Sequence, residues 1–303
     1  MKILFVKTSS LGDVVHHCPA VSEVARNFPG AEIDWVVEEA FAGVPAMHAR
    51  VRRVVPVALR RWRAALFSAR TWSELSAFRA GVGAERYDAV IDTQGLLKSV
   101  FLAKFAHGPL HGLDRASERE PLAHFFYRHV HAVPWALHPV ERNRRLTAQA
   151  LGYAMQGPPD YGLRAPAAAP RAQAVFLTMT SRAEKLWPEE RWIALGRALG
   201  SRIVLPWGTQ AERARAQRIA AAIDGVVPES MSLAALAELF VASSAVVGID
   251  TGLTHFAAAL GCRTVGIYCG TDPERYGLRA ARAASLGGTG RPPSADDVRA
   301  RLS

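Results

Sequence analysis

Short apolar runs alternate with amphipathic segments along most of this chain, and this alternation limits the folds that it can adopt. In the first half, residues 2–6, 33–37, 51–57 and 89–91 are predicted strands, and residues 13–27 carry apolar side chains at helical spacing. Strands and helices in this order are typical of βαβ units, which build a mostly parallel sheet covered by helices. The first half therefore predicts a doubly wound α/β domain.

The alternation starts again after residues 155–171, a stretch that is rich in Pro, Gly and Ala and has no periodicity. Such a composition is typical of a linker between domains. The strands predicted beyond it span residues 174–177, 203–205, 245–249 and 264–268, and the predicted helices span residues 189–199, 211–223, 233–242 and 254–260. We therefore predict two Rossmann-like, doubly wound parallel-sheet domains, at residues 1–160 and 171–280.

The chain has a formal net charge of +10, and residues 50–70 hold seven arginines and no acidic residue. We call these seven arginines the arginine cluster. An excess of positive charge favours an anionic partner, such as a phosphorylated substrate, an anionic membrane face or nucleic acid. An ordinary solvated face is the weaker alternative, because neighbouring arginines without acidic partners repel one another. Trp62, inside the cluster, is predicted either to stack on a ligand or to pack in the core.

Cysteine and histidine spacing predicts neither a disulfide framework nor a zinc site. The three cysteines, Cys18, Cys262 and Cys269, are an odd number without metal-ligand spacing, and they are predicted to be small core residues. Six of the ten histidines lie within residues 107–138, where they are predicted to be surface or packing residues. No apolar run approaches the ~20 residues of a membrane-spanning helix, and the run at residues 3–6 is too short for a secretory signal.

The loop that follows the first predicted strand is one candidate site, because ligands of doubly wound sheets bind beyond the carboxyl ends of the strands. Residues 7–13 read KTSSLGD and match neither the phosphate-loop nor the dinucleotide fingerprint. Asp13 lies near the start of the following helix. It is predicted either to cap that helix or to act as a general base, and the spacing leaves both open.

Two loops of the second half carry the residue types that bind a diphosphate. Thr180, Ser181 and Lys185 follow a predicted strand, although a solvated surface lysine is the alternative there. In residues 248–261, GIDTGLTHFAAALG, a strand ends in a tight turn that leads into a helix. The free amides of such a turn attract an anion, whereas the alternative makes Asp250 a simple helix cap and His255 a packing residue.

These segments together resemble the lipopolysaccharide heptosyltransferase I family, which is part of glycosyltransferase family 9. The resemblance runs from residue 1 to about residue 275 and rests on an ordered set of segments: KTSSLGDVVH, IDWVVEEAF, VPVALRRWR, YDAVIDTQGLLKS, EREPLAHFFY, TSRAEKLWPEERW, LPWGTQAE, MSLAALAE, DTGLTHFAAAL and YCGTDP. It implies a GT-B fold and an inverting enzyme that uses no metal or other cofactor. The implied reaction moves L-glycero-D-manno-heptose from ADP-heptose to the first Kdo of Kdo2-lipid A.

The resemblance also implies roles for individual residues. Asp13 corresponds to the general base, and Lys185 is implied in catalysis as well as in donor binding. The implied donor contacts are Thr180, Ser181, Lys185, Glu212, Met231, Asp250, Thr251, Gly252 and His255. The implied acceptor contacts are Ser10, Arg60, Arg61, Arg63, Gln94, Lys98 and Arg119. Residues 281–303 form a C-terminal segment, and the GT-B fold leaves open whether it returns to the first domain.

The implied partners are the ADP-heptose donor, the Kdo2-lipid A acceptor and an anionic inner-membrane surface. The implied location is peripheral, on the cytoplasmic face of the inner membrane of a Gram-negative bacterium, and no nucleic-acid motif accompanies the basic charge. Two alternatives stay open: a sister heptosyltransferase that adds a later heptose, and a non-catalytic protein that binds nucleotides or polyanions. A nicotinamide dehydrogenase is disfavoured because the first strand lacks the glycine fingerprint.

Overall fold

The structure of the chain is a computed structural model that describes residues 1–164 and 167–302. Residues 165 and 166, inside the predicted linker, lie outside the described residues. The chain divides into two compact units, Met1–Leu163 and Arg164–Ser303. Each unit is built on a six-stranded sheet with parallel strand pairs, so the predicted α/β class with two parallel sheets is confirmed.

The first unit contains six strands and seven α-helices in its described residues. Its strands are β1 (Lys2–Val6), β2 (Glu32–Glu38), β3 (Arg53–Val57), β4 (Ala89–Asp92), β5 (Leu110–Leu113) and β6 (His129–His131). Its helices are α1 (Leu11–Val15), α2 (Cys18–Asn27), α3 (Gly43–Ala46), α4 (Leu59–Ala64), α5 (Ala69–Gly83), α6 (Leu97–Ala103) and α7 (Pro139–Leu151). The strand order is β3-β2-β1-β4-β5-β6.

The second unit repeats this plan. Its strands are β7 (Arg171–Leu177), β8 (Arg202–Val204), β9 (Gly225–Val226), β10 (Ser243–Ile249), β11 (Thr264–Tyr268) and β12 (Ala283–Gly287). Its helices are α8 (Glu189–Leu199), α9 (Gln210–Ala220), α10 (Leu233–Ala242), α11 (Gly252–Ala259), α12 (Pro273–Tyr276) and α13 (Ala295–Ala300). The strand order is β12-β11-β10-β7-β8-β9.

Each sheet has one point at which the direction of winding reverses. In the first sheet this switch point lies between β1 and β4, and in the second it lies between β7 and β10. Loops on either side of a switch point diverge and leave a crevice at the carboxyl edge, where ligands of open α/β sheets bind. The loops that follow β1, β4, β7 and β10 are therefore the candidate ligand-binding loops.

Two sequence predictions are corrected by the structure. The single helix predicted over residues 13–27 is two helices, because the chain turns at His16 and His17 before α2 begins. Pro19 in the first turn of α2 explains the break, since proline lacks the N–H that a continuous helix needs there. The described part of residues 281–303 belongs to the second unit, where β12 pairs with β11 and α13 packs against α8. This placement corrects the suggestion that the segment returns to the first domain.

The inner strands are apolar along nearly their whole length because helices cover both faces of each sheet. The four residues of β1 from Ile3 to Val6 are completely buried, as is Trp35 on β2. The three cysteines are free and buried, which confirms their predicted place in the core. Within the described residues, no helix has both the length and the apolar character needed to cross a bilayer.

A buried ion pair ties α7 to α2 in the first unit. The Arg144 guanidinium lies 2.9 Å from a Glu23 carboxylate oxygen, and both side chains are almost fully buried. Arg144 also donates to the backbone oxygens of Gln156 and Gly157, at 3.2 and 2.9 Å. We expect Arg144→Met to lower the free energy of unfolding by about 3–5 kcal/mol, because it leaves the buried Glu23 carboxylate with only the exposed guanidinium of Arg26, 4.0 Å away.

Chemical denaturation followed by circular dichroism measures this loss. Arg145→Met is the matched control, since Arg145 is the next residue of the same helix and is exposed. Equal stability of the two variants would contradict the importance of the buried pair.

Candidate active site

Asp13 is the third residue of α1, the helix that begins beside the first switch point. Its Oδ2 accepts a hydrogen bond from the Ser10 backbone N–H at 3.0 Å, and the Arg119 guanidinium lies 3.4 Å away. Burial would raise the pKa of Asp13, but the charges of Lys7 and Arg119 and the Ser10 hydrogen bond hold it below its usual range. Asp13 therefore does cap the helix, as one prediction stated. Its carboxylate remains ionised and partly exposed, as a general base requires.

Lys7 is a buried cation directly beneath this loop, and sequence reasoning assigned it no role. Its Nζ donates to the Thr93 backbone oxygen at 2.8 Å and lies 3.4 Å from Asn143 Oδ1. Its backbone oxygen accepts from the buried Trp35 indole at 3.1 Å, which fixes the end of β1 to the core. Burial lowers the pKa of Lys7 to about 8. The sequence did contain a signal for this role, because Lys7 directly follows the apolar run at residues 3–6.

Gln94 and Lys98 lie on the β4 side of the first switch point, opposite the loop that follows β1. Gln94 is almost fully buried, and its Oε1 accepts from the backbone N–H groups of Thr8 and Ser9, at 3.1 and 3.2 Å. Lys98 Nζ lies 3.4 Å from Ser9 Oγ. The structure thus brings the predicted acceptor residues Ser10, Gln94, Lys98 and Arg119 together around Asp13. Gln94 acts there on the backbone of the loop.

The arginine cluster is not a uniform basic face, which corrects the prediction that its members lack acidic partners. Acidic residues from other parts of the chain approach it in space: Arg52 and Arg53 pair with Asp34, Arg61 pairs with Glu39 and Glu74, and Arg70 pairs with Glu74. Asp34 and Glu39 meet the cluster only in the folded unit, whereas Glu74 is four residues after Arg70 on the same helix, just beyond residues 50–70.

The guanidinium groups of the cluster therefore differ in how many acidic partners hold them. Arg61 donates to Glu39 and Glu74, and these hydrogen bonds raise the pKa of its guanidinium. Arg60 and Arg63 are exposed, and the Arg60 guanidinium lies 5.4 Å from the centre of the Phe41 ring. Trp62 is buried and donates to Glu74 at 2.7 Å, so the core-packing interpretation of Trp62 is confirmed.

Lys185 and Asp250 meet at the second switch point. Lys185 ends a 3-10 helix after β7, and its Nζ donates to Asp250 Oδ2 at 2.7 Å. Thr271 Oγ1 donates to the same oxygen at 2.6 Å, and His255 Nε2 lies 3.6 Å from Oδ1. Burial would raise the pKa of Asp250, but these contacts outweigh it and hold the pKa well below its usual range.

The geometry of this cluster excludes two of the alternatives that the sequence left open for the second half. Lys185 is largely buried in an ion pair and is not a solvated surface lysine. The residue that caps α11 is Thr251, so Asp250 is not a simple helix cap. Thr271, in the segment YCGTDP, was a further member of the cluster that sequence reasoning did not single out.

The remaining predicted donor residues lie at the same edge of the second sheet. Thr180 is half-buried and Ser181 exposed in the loop after β7, and Gly252 opens α11. Glu212 Oε2 accepts from the backbone N–H groups of Gly208 and Thr209, at 2.8 and 2.9 Å, and so caps α9.

Met231 lies in the loop before α10, and an indole bond links that loop to the one before α9. Trp207 Nε1 donates to the Pro228 oxygen at 2.7 Å. The start of α9, which carries Glu212, is therefore held near the loop that carries Met231.

The histidines of residues 107–138 are surface or packing residues, as predicted. His124 Nδ1 lies 2.9 Å from the buried Glu118 carboxylate, and His111 contacts His131 at 3.1 Å between ring nitrogens. In the described parts of the chain, no three His, Cys, Asp or Glu side chains converge as a metal site would need.

Comparisons with known proteins place this arrangement in a family. The profile of glycosyltransferase family 9 (heptosyltransferase) matches residues 75–301. The chain is 46% identical to lipopolysaccharide heptosyltransferase 1 of Escherichia coli K12, over 91% of this chain and 90% of that protein. It is 45% identical to lipopolysaccharide heptosyltransferase 1 of Pseudomonas aeruginosa PAO1, over 95% of this chain and 84% of that protein.

Solved structures agree with the sequence relatives. The structure of E. coli heptosyltransferase WaaC with ADP superposes with a TM-score of 0.92 at 42% identity, over 99% of this chain and 98% of that one. The E. coli ADP-heptose lps heptosyltransferase II structure shares the fold, with a TM-score of 0.75 at 20% identity, over 100% of this chain and 98% of that one. Two doubly wound units with polar loops at their switch points, in a chain with these relatives, define a glycosyltransferase of GT-B-like fold. The chain belongs to glycosyltransferase family 9, the heptosyltransferases.

Proposed function

We propose that this chain transfers L-glycero-D-manno-heptose from ADP-heptose to the first Kdo of Kdo2-lipid A, in the assembly of the lipopolysaccharide inner core. The observation that carries the proposal is the buried Lys185–Asp250 pair at the second switch point, in a chain 42% identical to a heptosyltransferase solved with ADP. The named relatives, at 45–46% identity, support the choice of the first heptose over a later one.

Asp13 is the proposed general base. As a Kdo hydroxyl attacks the anomeric carbon of the heptose, its proton passes to the Asp13 carboxylate, and the bond from heptose to ADP breaks on the opposite face. The capping contact from the Ser10 N–H fixes the orientation of the carboxylate, and Arg119 and Lys7 keep it ionised before the reaction. The contacts of Ser10 and Arg119 are both with Oδ2, so we assign the proton to Oδ1.

Lys185 is the proposed stabiliser of the departing ADP. The diphosphate gains negative charge as the glycosidic bond breaks, and a fixed ammonium in a partly buried site is effective against such charge. Asp250 and Thr271 fix the position of Lys185, and Asp250 and His255 are proposed to orient the heptose. The hydroxyls of Thr180 and Ser181 and the amides of Thr251 and Gly252 supply further donors, and Glu212 and Met231 are proposed to line the nucleoside. No metal or other cofactor takes part in this scheme.

The acceptor carries Kdo carboxylates and lipid A phosphates, and we assign it to the first unit. Among the arginines of the cluster, Arg60 and Arg63 are free to reach these anions, whereas Arg61 is held by Glu39 and Glu74. Together with Ser10, Gln94, Lys98 and Arg119, they form the proposed acceptor surface. Because the acceptor is embedded in a bilayer, we propose that the chain works peripherally on the cytoplasmic face of the inner membrane.

Release of ADP in the presence of defined acceptors tests this function. We expect ADP release from ADP-heptose only when Kdo2-lipid A is present, with a product that mass spectrometry identifies as singly heptosylated. Transfer only to an acceptor that already carries heptose would favour the sister heptosyltransferase. Binding of ADP-heptose without transfer to either acceptor would favour a non-catalytic nucleotide-binding protein.

Lys7 makes the activity depend on pH in a way that a variant can reveal. Asp13 must be ionised to accept a proton, so kcat/KM falls as the pH drops through its pKa. The Lys7 charge lowers that pKa. We therefore expect Lys7→Met to move the acidic limb of the kcat/KM profile to higher pH, whereas Lys7→Arg keeps the charge and leaves the limb in place. Profiles of both variants that coincide with the wild type would contradict this coupling.

A further inference from the structure

A group of exposed apolar side chains lies on two neighbouring elements of the first unit. We call it the apolar platform and define it by these residues: Leu97 and Phe101 on α6, and Leu122, Phe125 and Phe126 in or beside the 3-10 helix Ala123–Phe126. All five are exposed, Phe101 by 51% and Phe125 by 70%. A soluble protein that leaves so many large apolar side chains together in water generally uses them to bind a partner.

The two elements form one surface and hold it firmly. α6 packs against the 3-10 helix, and the Leu97 N–H donates to Glu120 at 2.8 Å. Glu118 is buried and accepts from the N–H groups of Leu122 and His124, at 3.2 and 2.7 Å. The apolar side chains are therefore presented outward by an ordered loop.

Positive charge surrounds the platform. Lys98 and Lys104 alternate with Leu97 and Phe101 along the exposed stripe of α6, and the Lys104 ammonium lies 4.5 Å from the centre of the Phe126 ring. Arg128 is exposed just beyond the 3-10 helix. The Glu118 and Glu120 carboxylates accept from backbone N–H groups, and within the described residues neither forms an ion pair with Lys98, Lys104 or Arg128.

The platform is also continuous with the Asp13 loop. Lys98, one turn of α6 or about 5 Å before Phe101, contacts Ser9, and Arg119, in the loop that leads into the 3-10 helix, contacts Asp13. α6 and the segment formed by this loop and the 3-10 helix thus carry the platform and also reach the proposed base.

We propose that the apolar platform inserts into the headgroup region of an anionic lipid bilayer and so sets the membrane-bound orientation of the enzyme. Aromatic and aliphatic side chains framed by lysine and arginine match the chemistry of such an interface, because the rings enter the acyl boundary while the cations stay at the phosphates. A second copy of the chain fits less well, since the cations that frame the platform would then face each other. The inference rests on the proposed lipid-anchored acceptor, and it moves the membrane contact from the arginine cluster to this surface.

Vesicle co-sedimentation with phosphatidylethanolamine and phosphatidylglycerol tests the proposal without any enzyme assay. We expect the partition of the double variant Phe101→Ser/Phe125→Ser onto vesicles to fall at least about tenfold. The variant lacks the two aromatic rings that the proposal buries in the bilayer. The matched control is Phe67→Ser/Trp72→Ser, which removes two rings that are more exposed still, by 102% and 61%, from the region of the arginine cluster and is expected to keep wild-type partition. Lys104→Gln/Arg128→Gln is expected to weaken binding and to reduce its dependence on salt.

Wild-type partition of the Phe101/Phe125 variant, loss of partition in the control variant, or equal binding to phosphatidylcholine vesicles would overturn the proposal. Unchanged thermal unfolding of each variant confirms that the substitutions leave the fold intact. Heptose transfer to a de-acylated, water-soluble Kdo acceptor is measured separately, and we expect the Phe101/Phe125 variant to retain it. Absence of that transfer in the wild-type chain would refute the proposed function. The vesicle experiment would still test the membrane contact, because it does not depend on enzyme activity.

Discussion

Asp13→Asn is expected to lower kcat by ~10²–10⁴-fold, the usual contribution of a well-placed general base. Asparagine keeps the shape of the side chain and can still accept the Ser10 N–H, so α1 stays capped. It cannot accept a proton from the acceptor hydroxyl. We therefore expect the dissociation constant of the donor, measured by calorimetry, to remain near the wild-type value while turnover collapses.

The chain offers a matched control for the loss of a capping carboxylate. Asp297 accepts the Ser294 backbone N–H at 2.8 Å at the start of α13, and so repeats the contact of Asp13 with Ser10. Asp297→Asn is expected to leave kcat unchanged. If the two asparagine variants turned over at similar rates, Asp13 would be a helix cap and nothing more.

Lys185→Met is expected to have the second largest effect, a loss of ~10²–10³-fold in kcat/KM with weaker ADP binding. The size follows from removing one fixed charge that faces a developing anion. Arg182→Met is the control in the same loop, because Arg182 is exposed and its ion pair is with Glu184. It is expected to behave as the wild type in the same steady-state assay.

A second variant separates the two effects of Lys185→Met. The single substitution removes a charge from the diphosphate site and also leaves the buried Asp250 carboxylate without its cation. Lys185→Met/Asp250→Asn removes both charges together. If the ammonium acts on the diphosphate, the double variant stays as slow as the single one. Recovery of activity in the double variant would instead make Lys185 a structural partner of Asp250.

The parts of the fold that the sequence predicted well are those where burial leaves a strong pattern. β1, β2, β7 and β10 are inner strands covered on both faces, so their apolar runs were long enough to recognise. Their order along the chain then placed the loops of Asp13, Lys185 and Asp250 at the carboxyl edges. The ion pair of Lys185 with Asp250 was not predicted, because it depends on β7 and β10 being neighbours in the sheet although β8 and β9 lie between them in the chain.

The parts that sequence reasoning missed carry weak local patterns or depend on distant residues. β6 and β12 are edge strands, and their sequences HVH and AASLG hold few β-branched residues. β5 contains Gly112, where a Cβ would collide with the Tyr127 ring. Close packing against Tyr127 therefore requires glycine there, although glycine has a low strand propensity. The acidic partners of the arginine cluster come from β2 and from α5 and beyond, which no local pattern in residues 50–70 could reveal.

The configuration at the anomeric carbon of the transferred heptose tests the central claim most directly. In the proposed reaction the acceptor hydroxyl gives its proton to Asp13 and displaces ADP in a single step from the opposite face. NMR of the product formed from Kdo2-lipid A is therefore expected to show an anomeric configuration opposite to that in ADP-heptose. Retention of the donor configuration would contradict the account, because it needs either a second displacement through a covalent intermediate or attack from the face that ADP leaves, and neither is the single displacement from the opposite face.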